Sequence, residues 1–278
     1  MLWRLGGLGM YGGVPHEELH RIKRDAVDRA RRFGLRRRLQ VCLASLGFTD
    51  ARLGDVAAAR RVIAEMTELE RPSDPVYVRA LVLSVKMMVA QHEGDVVAVV
   101  DCLGRQRALL LGAPDERVPL TTCESNLAMY LNALGRHEEA VRLGLALLSH
   151  PDRPPTFVLA ICATAYALAS LGRPDEARRL LQEGRREIEA TPISAFSGET
   201  LAMTCLAARR LDDAVRIDAA LQTRAAGTGS AIHPVTLAFR ARLADEVQAT
   251  GAAVEDLERW RREGALLSDA AAVELALR

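Results

Sequence analysis

LNALGRHEEAVRLGLALL (131–148) and LASLGRPDEARRLLQEG (168–184) share one pattern, L-G-R-x-[DE]-E-A. Their glycines, Gly135 and Gly172, lie 37 residues apart. A third copy, LAARRLDDAVRIDAAL (206–221), follows at the same interval with Arg209 in place of glycine. Weaker copies stand upstream as LGDVAAARRVI (53–63) and EGDVVAVVDCL (93–103). The small residue five places after the turn glycine is then Ala59, Val99, Ala140, Ala177 and Ala214, at spacings of 40, 41, 37 and 37. One more step of 40 back from Ala59 reaches Leu19, inside HEELH (16–20).

Each period reads the same way. An apolar helix of about four turns comes first. Glycine ends it, because glycine adopts positive φ without a steric cost. Acidic residues follow and suit the positive N-terminal end of a second, amphipathic helix. The small residue lets the two helices cross closely. Prolines punctuate between periods at Pro72, Pro75, Pro114, Pro119, Pro151, Pro154, Pro155 and Pro192. No run alternates with the two-residue period of a strand. A lone helix pair cannot bury its apolar face, whereas stacked pairs can. The expected fold is therefore all-α: a right-handed α-solenoid of five to six helix pairs. Residues 1–34 read as a degenerate or truncated first repeat, 35–226 as the clear repeats and 227–278 as a C-terminal helical cap.

The G-[DR]-x-x-E-A signature, with Gly47, Met87, Ala128, Ala165 and Ala202 seven places before the turn, resembles the tetratricopeptide repeat. The tail carries a second resemblance. GALLSDAAAVELAL (264–277), with Trp260 before it, is similar to the C-terminal end of bacterial signal-transduction ATPases of the LuxR-like and antibiotic-regulator type. The matching residues are Gly264, Leu267, Ser268, Ala272, Val273, Leu275, Ala276 and Leu277. In that family the region is a repeat arm attached to an upstream nucleotide-binding domain. The resemblance thus implies a sensor arm in transcriptional signalling, with an upstream ATPase domain as one partner. MLWRLGGLGMYGG (1–13) reads as the end of a helix that begins further upstream, which fits an arm of a larger regulator. No G-x-x-x-x-G-K-[ST] occurs, so the family's nucleotide chemistry is not carried over.

Composition agrees with an ordinary globular chain: 278 residues, 49% hydrophobic, 26% charged, net charge +1. That balance sets up no global field that would demand nucleic acid or a membrane. Cys42, Cys102, Cys123, Cys162 and Cys205 are dispersed in apolar stretches and read as reduced thiols of a cytoplasmic protein. No apolar run is long enough to span a membrane.

Three features are candidates for chemistry. HEELH places His16 and His20 one helical turn apart with Glu17 between them, the spacing of a zinc site with its general base. However, Glu18 stands where an apolar residue is usual, and Arg21, Lys23 and Arg24 would repel a dication. The repeat phase gives another account, in which Pro-His-Glu-Glu is an acidic first turn like RHEEA (136–140). The second feature is RIKRDAVDRARRFGLRRR (21–38), with nine basic residues and two Asp. Arg29–Arg38 could meet phosphates. Ile22, Ala26, Arg29/Ala30 and Phe33 instead suggest a packing stripe with a solvated basic face.

The third is a stripe eleven places before each aligned small residue: Phe48, Met88, Met129, Tyr166 and Met203. In the tetratricopeptide resemblance this position lies on the inner face of the first helix. Ser84, Gln91, His92, Ser125, Asn126 and Asn132 flank it. Large, adaptable side chains with amides beside them suit a peptide groove, and they equally suit a core where helices curve tightly. Phe48, Met88, Met129, Tyr166, Met203, His92, Asn126 and Asn132 are the groove candidates. His137, His150 and His233 are scattered, and no catalytic set can be assembled. The expectation is a non-enzymatic module that binds a protein or peptide and needs no cofactor or metal.

Overall fold

A computed structural model describes residues 16–113, 117–149, 157–190, 195–225 and 234–278. The expected helix end at 1–13, the side chains of His16 and Glu17, and the prolines at 114, 151, 154, 155 and 192 lie outside those residues. The described residues form helices and turns with no strand: an all-α helical repeat. None of these helices is long and apolar enough to cross a membrane. The chain divides into two compact units, Met1–Pro119 and Leu120–Arg278.

Unit 1 holds α1 (His16–Arg32), α2 (Arg36–Arg52), α3 (Val56–Leu69), α4 (Val76–His92) and α5 (Val96–Leu111). Unit 2 holds all but the first three residues of α6 (Arg117–Ala133), together with α7 (His137–Leu148), α8 (Phe157–Ser170), α9 (Pro174–Glu183), α10 (Arg185–Glu189), α11 (Ala195–Ala207), α12 (Leu211–Ala225), α13 (Pro234–Thr250), α14 (Val254–Ala265) and α15 (Asp269–Leu277).

The turn inside each pair explains the sequence repeat. Gly54, Gly94, Gly135 and Gly172 have φ of 87°, 75°, 71° and 73°, and Arg209 takes the same left-handed conformation at 62°. In all five turns the next backbone N–H closes back onto a carbonyl five residues earlier: Asp55 to Asp50, Asp95 to Ala90, Arg136 to Leu131, Arg173 to Leu168 and Arg210 to Cys205, each at 2.9 Å. This is the Schellman closure, which satisfies helix-end carbonyls that would otherwise lack donors. The small residues five places on are all fully buried: Ala59, Val99, Ala140, Ala177 and Ala214 have no exposed surface. Seven places before the turn, Ala128, Ala165 and Ala202 are also at 0%.

The core of unit 1 joins Val27 and Ala30 of α1 to Leu39, Leu43, Ala44 and Leu46 of α2, with Val62, Met66, Val82 and Val85 beyond them. Each of the valine, leucine and methionine side chains contributes roughly 1.5–3 kcal/mol of transfer free energy when buried. A polar clamp ties the start of α2 to the α3–α4 loop. Arg36 donates to both oxygens of Asp74, at 2.5 and 2.8 Å, and to the Leu69 carbonyl at 2.8 Å. Gln40 and the Arg71 backbone N–H also donate to Asp74. The guanidinium beside it holds the Asp74 carboxyl well below the usual carboxylate range.

Helix α1 departs from the expected packing. Leu19 is only half-buried, while Ile22 and Phe33 are 52% and 68% exposed. The inward stripe runs instead through half-buried Lys23 and buried Val27 and Ala30. Lys23 faces inward because its ammonium finds acceptors there, Thr49 Oγ1 at 2.5 Å and the Ser45 carbonyl at 3.3 Å, while its stem lies against α2. Burial lowers its pKa, Arg52 adds to that, and Asp50 opposes it.

In unit 2, α8 is the central element. Eleven of its residues, Phe157 and Ala160 through Ala169, are buried. It packs against α7, α9 and α11. The tail motif has a mechanical account. Gly264 lies so close to α12 that an added Cβ would meet the Arg216 carbonyl oxygen at 2.2 Å. Ser268 accepts from the Ala271 N–H and caps α15. Ala272, Val273, Leu275 and Ala276 are buried, and Arg210 donates to the Leu275 and Ala276 carbonyls at 2.7 and 3.1 Å.

Candidate functional site

The stripe must be considered within each unit. In unit 1, Phe48 on α2 is half-buried and Met88 on α4 is 8% exposed. His92, at the end of α4, is exposed and its ring lies beside Gly54, where an added Cβ would stand 3.2 Å from its Cε1. It therefore contacts the turn of the preceding pair. In unit 2, Met129, Tyr166 and Met203 are 8%, 3% and 1% exposed, and Asn126 is half-buried. Four of the five stripe residues thus occupy packing positions, and Phe48 retains the most accessible surface.

Asn132 is committed to the fold. Its amide donates to the Ala163 carbonyl on α8 at 2.8 Å, and its Oδ1 lies 3.0 Å from His137 Nδ1. The His137 ring meets Tyr166 at a centroid distance of 6.3 Å and 47°. Burial lowers the His137 pKa, and Arg242 of α13 lowers it further. Burial pushes the Tyr166 phenol up to about 12, with Arg242 opposing and Glu199 adding.

Sequence reasoning missed Glu199. It stands in α11 among apolar neighbours, SGETLAMTCLA (197–207), and a lone acid on such a helix was the available signal. It is 1% exposed, and its Oε2 has no hydrogen-bond partner. Burial pushes its pKa up to about 8; Thr236 and Arg240 of α13 oppose this, and Asp218 of α12 adds to it. Asp218 is itself held by Gln222 at 2.5 Å and Arg240 at 3.2 Å.

Of the HEELH histidines, only the side chain of His20 is among the described residues. His20 Nε2 lies 2.5 Å from Asp50 Oδ1, joining α1 to α2. No three His, Cys, Asp or Glu side chains gather at one point among the described residues. The arginine run is partly neutralised: Arg29 pairs with Asp25 at 2.9 Å, Arg31 with Glu65 at 2.6 Å, and Arg36 with Asp74. Arg32, Arg37 and Arg38 stay exposed. The five cysteines are free thiols, and burial pushes Cys162 and Cys205 up to about 12.

A family model described as tetratricopeptide repeat matches residues 40–65, 123–143 and 162–183. These segments cover the α2–α3, α6–α7 and α8–α9 turns. No curated protein and no solved structure matches the chain.

Proposed function

We propose that the chain is a non-enzymatic module that binds a protein or peptide partner through its helical repeats. We further propose that it serves as a regulatory arm in bacterial transcriptional signalling, with an ATPase domain as one partner. The observation that carries the binding role is the set of five turns sharing one left-handed residue and one backbone closure, three of them within the tetratricopeptide matches. Repeats of this kind commonly present extended surfaces to other proteins. In unit 1 the residues offered are half-buried Phe48 on α2 and exposed His92 on α4. In unit 2 the residue offered is half-buried Asn126 on α6, since Met129, Tyr166 and Met203 are buried. The regulatory role rests on the resemblance of residues 264–277 alone. The part-buried Asn132–His137 contact and the His20–Asp50 contact favour structural over catalytic work for those histidines.

The test is capture of interacting proteins with the purified chain, compared with Phe48→Asp and Asn126→Ala variants. The expected result is a partner retained by the parent chain and lost from Phe48→Asp at a temperature where the variant keeps its full helical circular dichroism. A partner held equally by all three proteins would place binding elsewhere and overturn the groove assignment.

A further inference from the structure

Between α4 and α5 of unit 1 lies a half-open pocket of about 400 Å³. Arg79, Val82, Leu83 and Lys86 line one wall, and Arg105, Ala108 and Leu109 the other, with Glu70 at the edge. On α4 the spacing is i, i+3, i+4, i+7, and on α5 it is i, i+3, i+4. Each wall is therefore one continuous helix stripe. Val82 and Leu83 are buried and Leu109 half-buried, so the floor is apolar.

The rim carries three cations and one carboxylate. Glu70 engages Arg79 at 3.4 Å. Arg105 reaches only Asp101 on its own helix, at 3.6 Å, with both side chains more than 60% exposed (62% and 63%). Such a pair contributes little. Lys86 has no hydrogen bond or ion pair with any described residue. Several other arginine forks are matched by nearby carboxylates: Arg136 to Glu139, Arg173 to Glu176, and Arg216 to Asp212 and Glu263. This pocket sets an unpaired lysine, Lys86, and a weakly paired arginine, Arg105, above an apolar floor.

We propose that the pocket binds a small anionic amphiphile, a carboxylate with a medium-length apolar body. The body would lie on Val82, Leu83 and Leu109, and the headgroup would meet Lys86 and Arg105. The volume falls in the range of small-molecule sites, which pair an apolar lining with a few polar groups that orient the ligand. A bare inorganic anion would leave the floor unused, and an uncharged alkane would leave the cations unmatched. The site is independent of the protein-partner surface: none of its residues belongs to the Met/aromatic stripe.

The probe is decanoate below its micellar range, titrated into the whole chain and followed by methyl NMR. Saturable shifts at the Val82, Leu83 and Leu109 methyls are expected. Lys86→Ala and Arg105→Ala should each weaken binding by about tenfold, because each removes one charge-assisted contact. Both side chains sit on the rim, so the melting temperature serves as a check that the variants fold. Decyltrimethylammonium and decanol should leave those methyls unmoved at the same concentration. Equal binding of the cationic amphiphile, or unchanged affinity in both variants, would overturn the proposal. So would an acidic leucine-bearing peptide that moves these methyls where decanoate does not, since the pocket would then be a protein-docking site.

Discussion

In unit 1 the residue after the turn glycine is Asp55 or Asp95, and each carboxylate accepts from the N–H three residues on, at 2.9 Å. In unit 2 the same place holds Arg136, Arg173 or Arg210. These reach forward to a side chain instead, Glu139 at 2.7 Å, Glu176 at 2.6 Å and Asp213 at 3.3 Å. The backbone closure is nonetheless 2.9 Å in all five turns. The register is therefore carried by the left-handed residue and the small crossing residue, while the capping chemistry varies freely. The units also differ in what they bury. Unit 1 leaves Phe48 half-exposed and a cation-rimmed pocket open. Unit 2 buries Tyr166 and Met203 and encloses a carboxyl, Glu199, with one oxygen lacking a hydrogen-bond partner.

The largest expected effect breaks that contrast in burial. Tyr166→Ala should cost about 3–5 kcal/mol, the usual range for emptying a buried aromatic site. Phe48→Ala should cost only about 1–2 kcal/mol, because less area leaves water. Urea unfolding of both variants measures the difference. Equal losses would mean that the two stripe positions are both core and that unit 1 offers no aromatic surface.

The next effect concerns pH. Glu199 rises to about 8 in the folded chain from an ordinary 4.5. Between those values the folded protein keeps a proton that the unfolded chain releases. The stability from this group is complete below about 4.5 and is lost as pH rises through about 8. The loss should be on the order of 2–4 kcal/mol between about pH 5 and pH 9. Glu199→Gln, which resembles the neutral acid in shape, should flatten that slope in thermal scans. An unchanged slope would assign the pH dependence to another group.

A smaller effect tests the tail. Gly264→Ala brings a methyl against the Arg216 backbone, which cannot rotate aside. The cost should be about 1–3 kcal/mol, the range for overpacking. Hydrogen exchange should localise the loosening to α14 and α15. A variant as protected as the parent chain would show that α14 can shift without loss.

These outcomes also separate what was legible in the sequence from what was not. The turns were legible because glycine's freedom and the small crossing residues act within one helix pair. Ala59 and Ala177 announce themselves by spacing alone. The balance between groove and core was not legible. Whether Met203 or Phe48 meets water depends on the neighbouring helices, which are distant in sequence. Lys23 misled for a similar reason. A basic residue facing inward makes sense only once Thr49 and the Ser45 carbonyl are in place opposite it. Lys86 and Arg105 likewise come together only when the phases of α4 and α5 are known.

The fifth turn offers the finest test of the comparison. Arg209 holds a left-handed conformation where the other four turns have glycine. That conformation costs an L-residue about 1–2 kcal/mol. Its guanidinium gains only a 3.6 Å contact with Glu246 while 85% exposed, a pair worth little. Replacing it by glycine relieves the strain but adds freedom to the unfolded chain, which offsets about 0.4–1 kcal/mol. Arg209→Gly should therefore stabilise by about 0.5–1 kcal/mol, and Gly172→Arg should destabilise by a similar amount. Both shifts are measurable by urea unfolding. If Arg209→Gly instead loses stability, the arginine must hold α13 through Glu246 more firmly than an exposed pair ordinarily does, and the fifth turn would owe its geometry to the following helix.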